Sequence, residues 1–390
     1  MDQRQTTPAP VYFVNDTEQD DRFSDIDSSC ASELTDETMS TLASEEAVGE
    51  LYSVKGSYYI NDYEFIEYFQ ELNGRMFPKD ENLPIAIPTD ANEVKRLMLQ
   101  HIQLKIFLGG NYVGPVDQIL LPAIDGREKK VLDLITAEGS WVKEMANEFP
   151  HVSFTSVDNM PLIPHTPQPN VKFEVYDLYN GIAEQGDTFD IVHLRHAAMH
   201  LKNPKTLIRE IYRVLRPGGL FLFGNWELSA YDAADPDSPA LERLPGLSKA
   251  LEMTRTALSH QGVDVRMCKD MPRWLEPNSE LWTTPEDPSS GLMFAEPMLG
   301  FRDIEYKPML VPIGLWPTEK RLQDVGKIGA HGWAHIWRSM HAPFQVFGLS
   351  KDQAQEVVDG AIRDVYHPEV QVSVVYHSTY GFKRGRRLEL

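Results

Sequence analysis

The chain has 390 residues, 42% of them hydrophobic, enough for a sizeable core in one large domain or two smaller ones. Its formal net charge of −21 argues against a dedicated nucleic-acid binder, whose binding face is ordinarily basic. The two cysteines, Cys30 and Cys268, argue against a disulfide framework, and no apolar run approaches the roughly 18–20 residues of a membrane span.

Residues 1–50 hold 13 acidic and 2 basic side chains, so about half of the net charge sits there. They show no sustained apolar period and read as an acidic tail that cannot bury enough surface to offset its ordering entropy. The start of the chain has neither the basic cluster nor the apolar stretch of a signal peptide, and a cytoplasmic or nuclear protein is expected. Order is expected from Tyr58. Phe65, Ile66, Tyr68, Phe69 and Leu72 suit an amphipathic helix that stops at Asn73-Gly74. Thr89 or Asp90 then caps a second helix, with Val94, Leu97, Met98, Ile102 and Lys105 on one face and Gly109-Gly110 as its stop.

From Lys130 the pattern alternates. Strands are expected at Val131–Leu134, Val152–Val157, Val171–Val175, Phe189–Leu194 and Leu220–Phe223, with helices at Trp141–Phe149 and Pro204–Leu215. Alternation of buried apolar strands with helices means a parallel sheet covered by helices. After Trp226 the alternation breaks. A helix over Pro239–Ser259, a strand at Phe301–Leu310, helices over 318–363 with a break near 342–350, and a last strand at Val370–Tyr380 follow. The end, Lys383-Arg384-Gly385-Arg386-Arg387, is basic and reads as a solvated terminus. The segment Val131–Trp141 is a strand, a tight loop and a helix start, a junction that can hold a nucleotide-like cofactor at the strand's carboxyl end. Gly139 stands there where three glycines are expected.

Several motifs, in order and spacing, carry a family resemblance. They are Glu93-Val94-Lys95-Arg96-Leu97 with Gln100-His101, Val131-Leu132-Asp133-Leu134 with Gly139-Ser140-Trp141, and Val157-Asp158. Phe189-Asp190-Ile191-Val192-His193, Leu215-Arg216-Pro217-Gly218-Gly219-Leu220, Val311-Pro312-Ile313-Gly314-Leu315-Trp316-Pro317 and Tyr380-Gly381-Phe382-Lys383 complete the set. Over about residues 58–390 the chain resembles class I S-adenosylmethionine-dependent methyltransferases, in their fungal LaeA-like branch. The resemblance implies an α/β, Rossmann-like fold with a seven-stranded sheet, mostly parallel, whose last strand is antiparallel. It divides the chain into an acidic tail (1–55), an N-terminal helical cover (56–130), the cofactor-binding core (131–230), a cap or substrate region (231–300), and C-terminal strands and helices completing the core (301–390).

The same resemblance assigns the site. Asp158 would take the ribose diol of S-adenosylmethionine, Asp177 the adenine, and Glu138 the ammonium, with Asp133 and Gly139 shaping the loop and His193 as a base or aligner near the methyl. Ile135 and Ala137 replace glycines of the family pattern, and a side chain forced into a left-handed conformation costs roughly 1–2 kcal/mol. His196 and His200 are four residues apart, but no third ligand is evident and no metal is expected. A Met- and Trp-rich set (Trp274, Trp282, Met293, Phe294, Met298, Trp316, Trp333, Trp337, Met340) suits cap packing or an apolar acceptor pocket. The expected function is methyl transfer from S-adenosylmethionine to a small-molecule or protein acceptor. The alternative is a catalytically impaired, methyltransferase-like regulatory protein acting through protein partners. Neither nucleic acid nor membrane is expected as a partner, and a dinucleotide-linked dehydrogenase is disfavoured by the missing Gly-x-Gly-x-x-Gly fingerprint.

Overall fold

The computed structural model describes residues 68–160, 168–277, 279–282 and 299–385. The expected acidic tail, Cys30, Phe65, Ile66, Met293, Phe294, Met298, Arg386 and Arg387 lie outside these. Tyr68, the first described residue, is helical, but the chain then turns into a hairpin where the helix was expected to run on to Leu72: β1 (Phe69–Leu72) pairs antiparallel with β2 (Arg75–Pro78). Asn73 and Gly74, expected to stop a helix, both have positive φ (53° and 74°) and make the two-residue turn that hairpins favour.

Helix α1 (Ala91–Leu108) begins at Asp90, whose side chain accepts the Glu93 N–H at 3.2 Å, and ends at Gly109 with φ 76°. Asp90 also takes a bidentate pair from Arg75 (2.5 and 2.9 Å), which pins the hairpin to the helix start. The buried residues of α1 differ from the expected apolar face. They include Glu93, Arg96, His101 and Gln103 beside Val94, Leu99 and Leu104. The helix lies over a polar crevice, so its charged side chains turn inward.

After the short α2 (Val116–Ile119) come β3 (Lys129–Leu134), α3 (Ser140–Glu148), β4 (Val152–Asp158), β5 (Val171–Val175), β6 (Phe189–Arg195), α4 (Pro204–Val214) and β7 (Leu215–Asp232), with no α-helix among the described residues between β4 and β6. A β8 hairpin arm (Asp235–Pro239), α5 (Pro245–His260) and α6 (Met267–Leu275) follow. The chain continues through β9 (Phe301–Pro312), α7 (Lys320–Ser339), α8 (His341–Val346) and α9 (Lys351–Val365) to β10 (Val372–Lys383). The sheet order is β5-β4-β3-β6-β7-β10-β9, with β8 paired to β7. Strands β3 to β7 are mutually parallel, and β10 runs antiparallel to both neighbours. This is the expected fold.

Alternate residues of the central strands feed two cores. Leu132, Leu134, Val192, Leu194, Phe221 and Phe223 pack under α4 and α6, and Val131, Phe154, Ile191, Leu220 and Leu222 pack under α2 and α3. Burial on both faces explains why these strands read as continuous apolar runs. Strand β7 does not end near Trp226 as expected. It continues for 18 residues because β10 supplies partners along it, from Phe382↔Leu220 to Val372↔Asp232. Helix α5 starts at Pro245, later than expected, because proline suits the first helical turn, where no N–H partner is needed. Helices α5, α7 and α9 share a third core over the far parts of β7 and β10. Among the described residues, no helix is long and apolar enough to cross a membrane.

Candidate functional site

The order in which strands are laid down reverses at β3, where β4 lies to one side and β6 to the other, all parallel. In open α/β sheets that reversal leaves a crevice at the carboxyl ends of the strands. The carboxyl ends of β3, β4 and β6 here supply Asp133, the loop 135–138, Asp158, His193, Arg195 and His196, all lining one cavity of about 60 Å³. Its roof is Pro78, Leu83, Pro84 and Pro88, with Glu93, Val94 and Leu97 of α1.

The loop keeps a glycine-type backbone without the glycines. Ile135, Ala137 and Gly139 have φ of 56°, 53° and 76°. The Ile135 N–H donates to Val157 O at 2.8 Å and the Gly139 N–H to Thr136 O at 3.0 Å, which closes the turn. The Ile135 side chain packs against the core cluster that holds Leu132 and Val157, and this contact offsets its strain. Ala137 has no such compensation. Ala137→Gly is therefore expected to raise stability by about 0.5–1 kcal/mol, the left-handed penalty less the added unfolded-state entropy. Ile135→Gly loses packing and is expected to lower it. Urea unfolding of the two variants checks this, and equal shifts would contradict it.

Asp158 closes the loop from the neighbouring strand. Its Oδ2 accepts the Ala137 N–H at 2.9 Å and its Oδ1 the Met160 N–H at 3.2 Å. Burial pushes the carboxyl up from 3.8 to about 6, although these N–H groups pull the other way. A buried carboxylate with this bias faces the cavity and gains from further donors. Asp133 is also buried, and its Oδ1 meets His193 Nδ1 at 2.7 Å. That contact makes Nδ1 the protonated nitrogen and leaves Nε2 as an acceptor. The His193 ring stacks on Trp141 (centroids 3.6 Å apart, planes at 13°), and burial holds its pKa below 6.5. Trp141 is in turn fixed by its Nε1–H to Asn111 O at 2.8 Å.

Of the residues expected at the site, Asp133, Glu138, Asp158 and His193 line the cavity, and Gly139 is the left-handed residue that starts α3. Asp177 stands apart from this lining. Its Oδ1 accepts the Tyr179 N–H and its Oδ2 the Asn180 side chain, both at 2.8 Å, capping a short 3₁₀ turn. Asn159 and Met160 occupy the cavity wall after β4 instead. His196 and His200 do not share a helical face, since 197–200 is a turn, and the described residues hold no cluster of three metal-ligating side chains.

Other residues around the cavity were not legible in the sequence. Arg195 ends β6 and donates from Nη2 to His101 Nδ1 at 2.9 Å. His101 Nε2 lies 3.2 Å from Glu144 Oε1, and Lys105 Nζ 2.7 Å from Oε2. Burial opposes the Glu144 charge, but His101 and Lys105 outweigh it and hold the carboxyl down at about 2. Glu93 is held by Arg96 Nε at 2.8 Å, and burial raises its pKa. The signal available in the sequence was an arginine directly after six buried strand residues; Glu93 entered only as part of the motif Glu93-Val94-Lys95-Arg96-Leu97, with no role attached.

The donor set fits a sulfonium nucleoside. The crevice offers buried carboxylates (Asp133, Glu138, Asp158), one guanidinium (Arg195) and the unpartnered Thr136 Oγ1, around a loop of left-handed backbone. Residues 113–264 match the Methyltransferase domain family. Methyltransferase str3 of Strobilurus tenacellus is 32% identical over 168 residues, which are 43% of this chain and 57% of that protein. Secondary metabolism regulator laeA of Coprinopsis cinerea is 26% identical over 77% of this chain and 70% of its own length. Methyltransferase pytC of Aspergillus terreus is 25% identical over 67% of this chain and 71% of its own. The chain thus spans little more than half the length of the first of these relatives. Among solved structures, phosphoethanolamine N-methyltransferase 2 of Haemonchus contortus shares 15% identity at a TM-score of 0.38, over 80% of this chain and 62% of that one.

Proposed function

We propose that this chain, which belongs to the class I S-adenosylmethionine-dependent methyltransferase family and to its fungal LaeA-like branch, binds S-adenosylmethionine in the crevice and passes its methyl group to a small-molecule or protein acceptor. One observation carries the reading: the loop 135–139 holds its left-handed backbone, closed onto Asp158, although two of its glycines are gone. A chain released from cofactor binding has no reason to retain that strain.

Bound there, the cofactor supplies an electrophilic methyl on sulfur. Asp158 would take the ribose diol, Glu138 and Asp133 the ammonium end, and Arg195 the carboxylate. Asn159 and Met160, rather than Asp177, would meet the adenine. The Asp133–His193–Trp141 arrangement orients the His193 ring so that Nε2 accepts a hydrogen bond on the cavity side. Transfer in line needs alignment and exclusion of water, and the proline-rich roof with α1 provides the cover. The cavity, about 60 Å³, is smaller than the ~300 Å³ at the low end of ligand sites, so admission of the cofactor requires the side chains of the roof to give way.

The second reading, a methyltransferase-like regulator without turnover and acting through protein partners, is favoured by the β-branched Ile135 at φ 56° and by the small cavity. Calorimetric titration of the full chain with S-adenosylhomocysteine separates the two. Binding in the micromolar range is expected, together with slower amide exchange over residues 75–97. Absence of heat at millimolar ligand would refute the first reading and leave the second.

A further inference from the structure

The other end of the sheet holds a second and larger cavity, of about 350 Å³, at the amino ends of β3, β6 and β7. Ile119, Arg127, Lys129, Asp187, Asp190 and the turn 216–219 line it. Phe189 pairs with Leu215 and Ile191 with Leu220, so residues 216–219 are thrown out of the sheet opposite Asp190. Gly218 takes the left-handed conformation that this turn needs, with φ 78°. A Cβ on Gly219 would lie 2.9 Å from Arg216 O and 3.1 Å from Asp190 O, so the turn folds tightly onto β6.

The charges around this cavity do not cancel. Asp190 is taken by Arg127 in a bidentate pair (2.6 and 2.9 Å) and by the Lys130 N–H at 3.0 Å. Asp187 is taken by Lys383, whose Nζ also donates to Leu215 O, each at 2.6 Å. Lys129 and Arg216 are left over. The Lys129 side chain is only 14% exposed, yet its ammonium comes no nearer to a carboxylate than 3.6 Å, from Asp190, and donates no hydrogen bond to a described residue. Arg216 spends its Nε–H on Thr188 O at 2.9 Å, and its two terminal nitrogens have no acceptor among the described residues. A cation withdrawn from water needs a partner. In a chain of net charge −21, two cations that keep unspent donors on one wall make a local positive field against the general trend.

We propose that this cavity binds a phosphate-bearing small molecule, its phosphate oxygens held by Lys129 and Arg216. The Arg216 terminal nitrogens present paired N–H groups to two oxygens of one phosphate, and the Lys129 ammonium adds a point charge. Asp187 and Asp190 share the wall, but each is neutralised by its own cation. The volume exceeds the ~300 Å³ at the low end of ligand sites, so the cavity has room for more than a bare phosphate ion. The loop 120–126, which joins Ile119 to Arg127 at the rim, exposes Leu121 and Ile124 to an apolar portion of the same ligand. The contacts at Lys129 and Arg216 are the same whether the phosphate belongs to a soluble ester or to a lipid headgroup. No residue is shared with the crevice at the carboxyl ends of the strands.

The test uses the full chain with two probes: pyrophosphate, titrated by calorimetry without divalent cations, and phosphatidylcholine vesicles with and without phosphatidate, in a flotation assay. Pyrophosphate is expected to bind, and to bind more weakly as salt rises from about 50 to about 300 mM. Lys129→Met and Arg216→Gln should each weaken it about tenfold or more, whereas Lys129→Arg, which keeps the charge, should stay within about threefold of wild type. Melting temperatures without ligand show that each variant is folded, and Arg216→Gln serves if Lys129→Met is not. Pyrophosphate binding without vesicle binding would support the proposal with a soluble ester as the source. Phosphatidate-dependent vesicle binding that is lost in Lys129→Met, Arg216→Gln and Ile124→Ser would support it with a headgroup as the source. No binding of either probe, or binding that survives unaltered in both Lys129→Met and Arg216→Gln, would overturn it.

Discussion

Asp158→Asn is expected to make the protein more stable at pH 7.5 while removing its cofactor affinity. Burial lifts the Asp158 carboxyl from 3.8 to about 6, so keeping it ionised in the folded state costs about 3 kcal/mol. Asparagine removes that cost but has one acceptor oxygen where two backbone N–H groups, of Ala137 and Met160, now donate. One lost bond of about 1 kcal/mol leaves a net gain of about 1–2 kcal/mol. The sign with pH follows from a folded pKa above the unfolded one. The folded state holds the extra proton between pH 4 and 6, so this group's contribution is fully present below about 4 and is lost as pH rises through 6. Urea unfolding of wild type and Asp158→Asn should therefore diverge between pH 4.5 and 7.5, with the wild type falling. Hydrogen bonds from a ribose diol to a charged acceptor contribute about 1.5–3 kcal/mol each, so affinity for S-adenosylhomocysteine should drop about 100-fold. A variant no more stable than wild type at pH 7.5 would mean that Asp158 is not a strained, function-directed carboxylate.

The helix crossing of α5 and α9 supports the opposite kind of test, in which two alanines a few ångströms apart behave differently. A Cβ on Gly246 would fall 2.5 Å from the Gly360 carbonyl carbon and oxygen and 2.9 Å from its Cα. Backbone cannot give way as a side-chain tip can, so Gly246→Ala must push the helices apart, at about 2–3 kcal/mol. A Cβ on Gly360 meets Gly246 Cα at 3.4 Å, an ordinary contact. Gly360 lies inside α9, where alanine is the better helix former by about 1 kcal/mol. Gly360→Ala should therefore leave the melting temperature unchanged or slightly raised while Gly246→Ala lowers it by several degrees. Equal shifts in scanning calorimetry would remove the crossing as the cause.

The sheet was legible because its strands are buried on both faces: the runs at β3, β4, β5 and β6 admit few other readings, and helical patterns stand between β3 and β4 and between β6 and β7. What escaped was decided by contacts distant in sequence. The hairpin at Asn73-Gly74 resembles a helix stop because both need positive φ. The length of β7 depends on β10, about 150 residues later in the chain, as its pairing partner. Counting from β3 reaches Asp158 and Glu138 in the cavity lining, whereas Asp177 caps a 3₁₀ turn, and a cap and a ligand-binding carboxylate look alike at the end of a strand. The role of Arg195 required knowing that His101 arrives from α1, 94 residues earlier.

Helix α1 meets the rest of the protein through ions and amides as much as through hydrocarbon. Glu93, Arg96, His101 and Gln103 point inward, and Gln103 reaches Val325 O at 3.2 Å. Groups of this kind exchange protein partners for water at small net free-energy difference, whereas an oily underside would be driven to re-cover itself or to stick to another chain. The polar part of this contact therefore exchanges its partners for water at little net cost, whereas Val94 and Leu97 of the helix, with Leu83 and the prolines of the roof, are the part that holds the cover down.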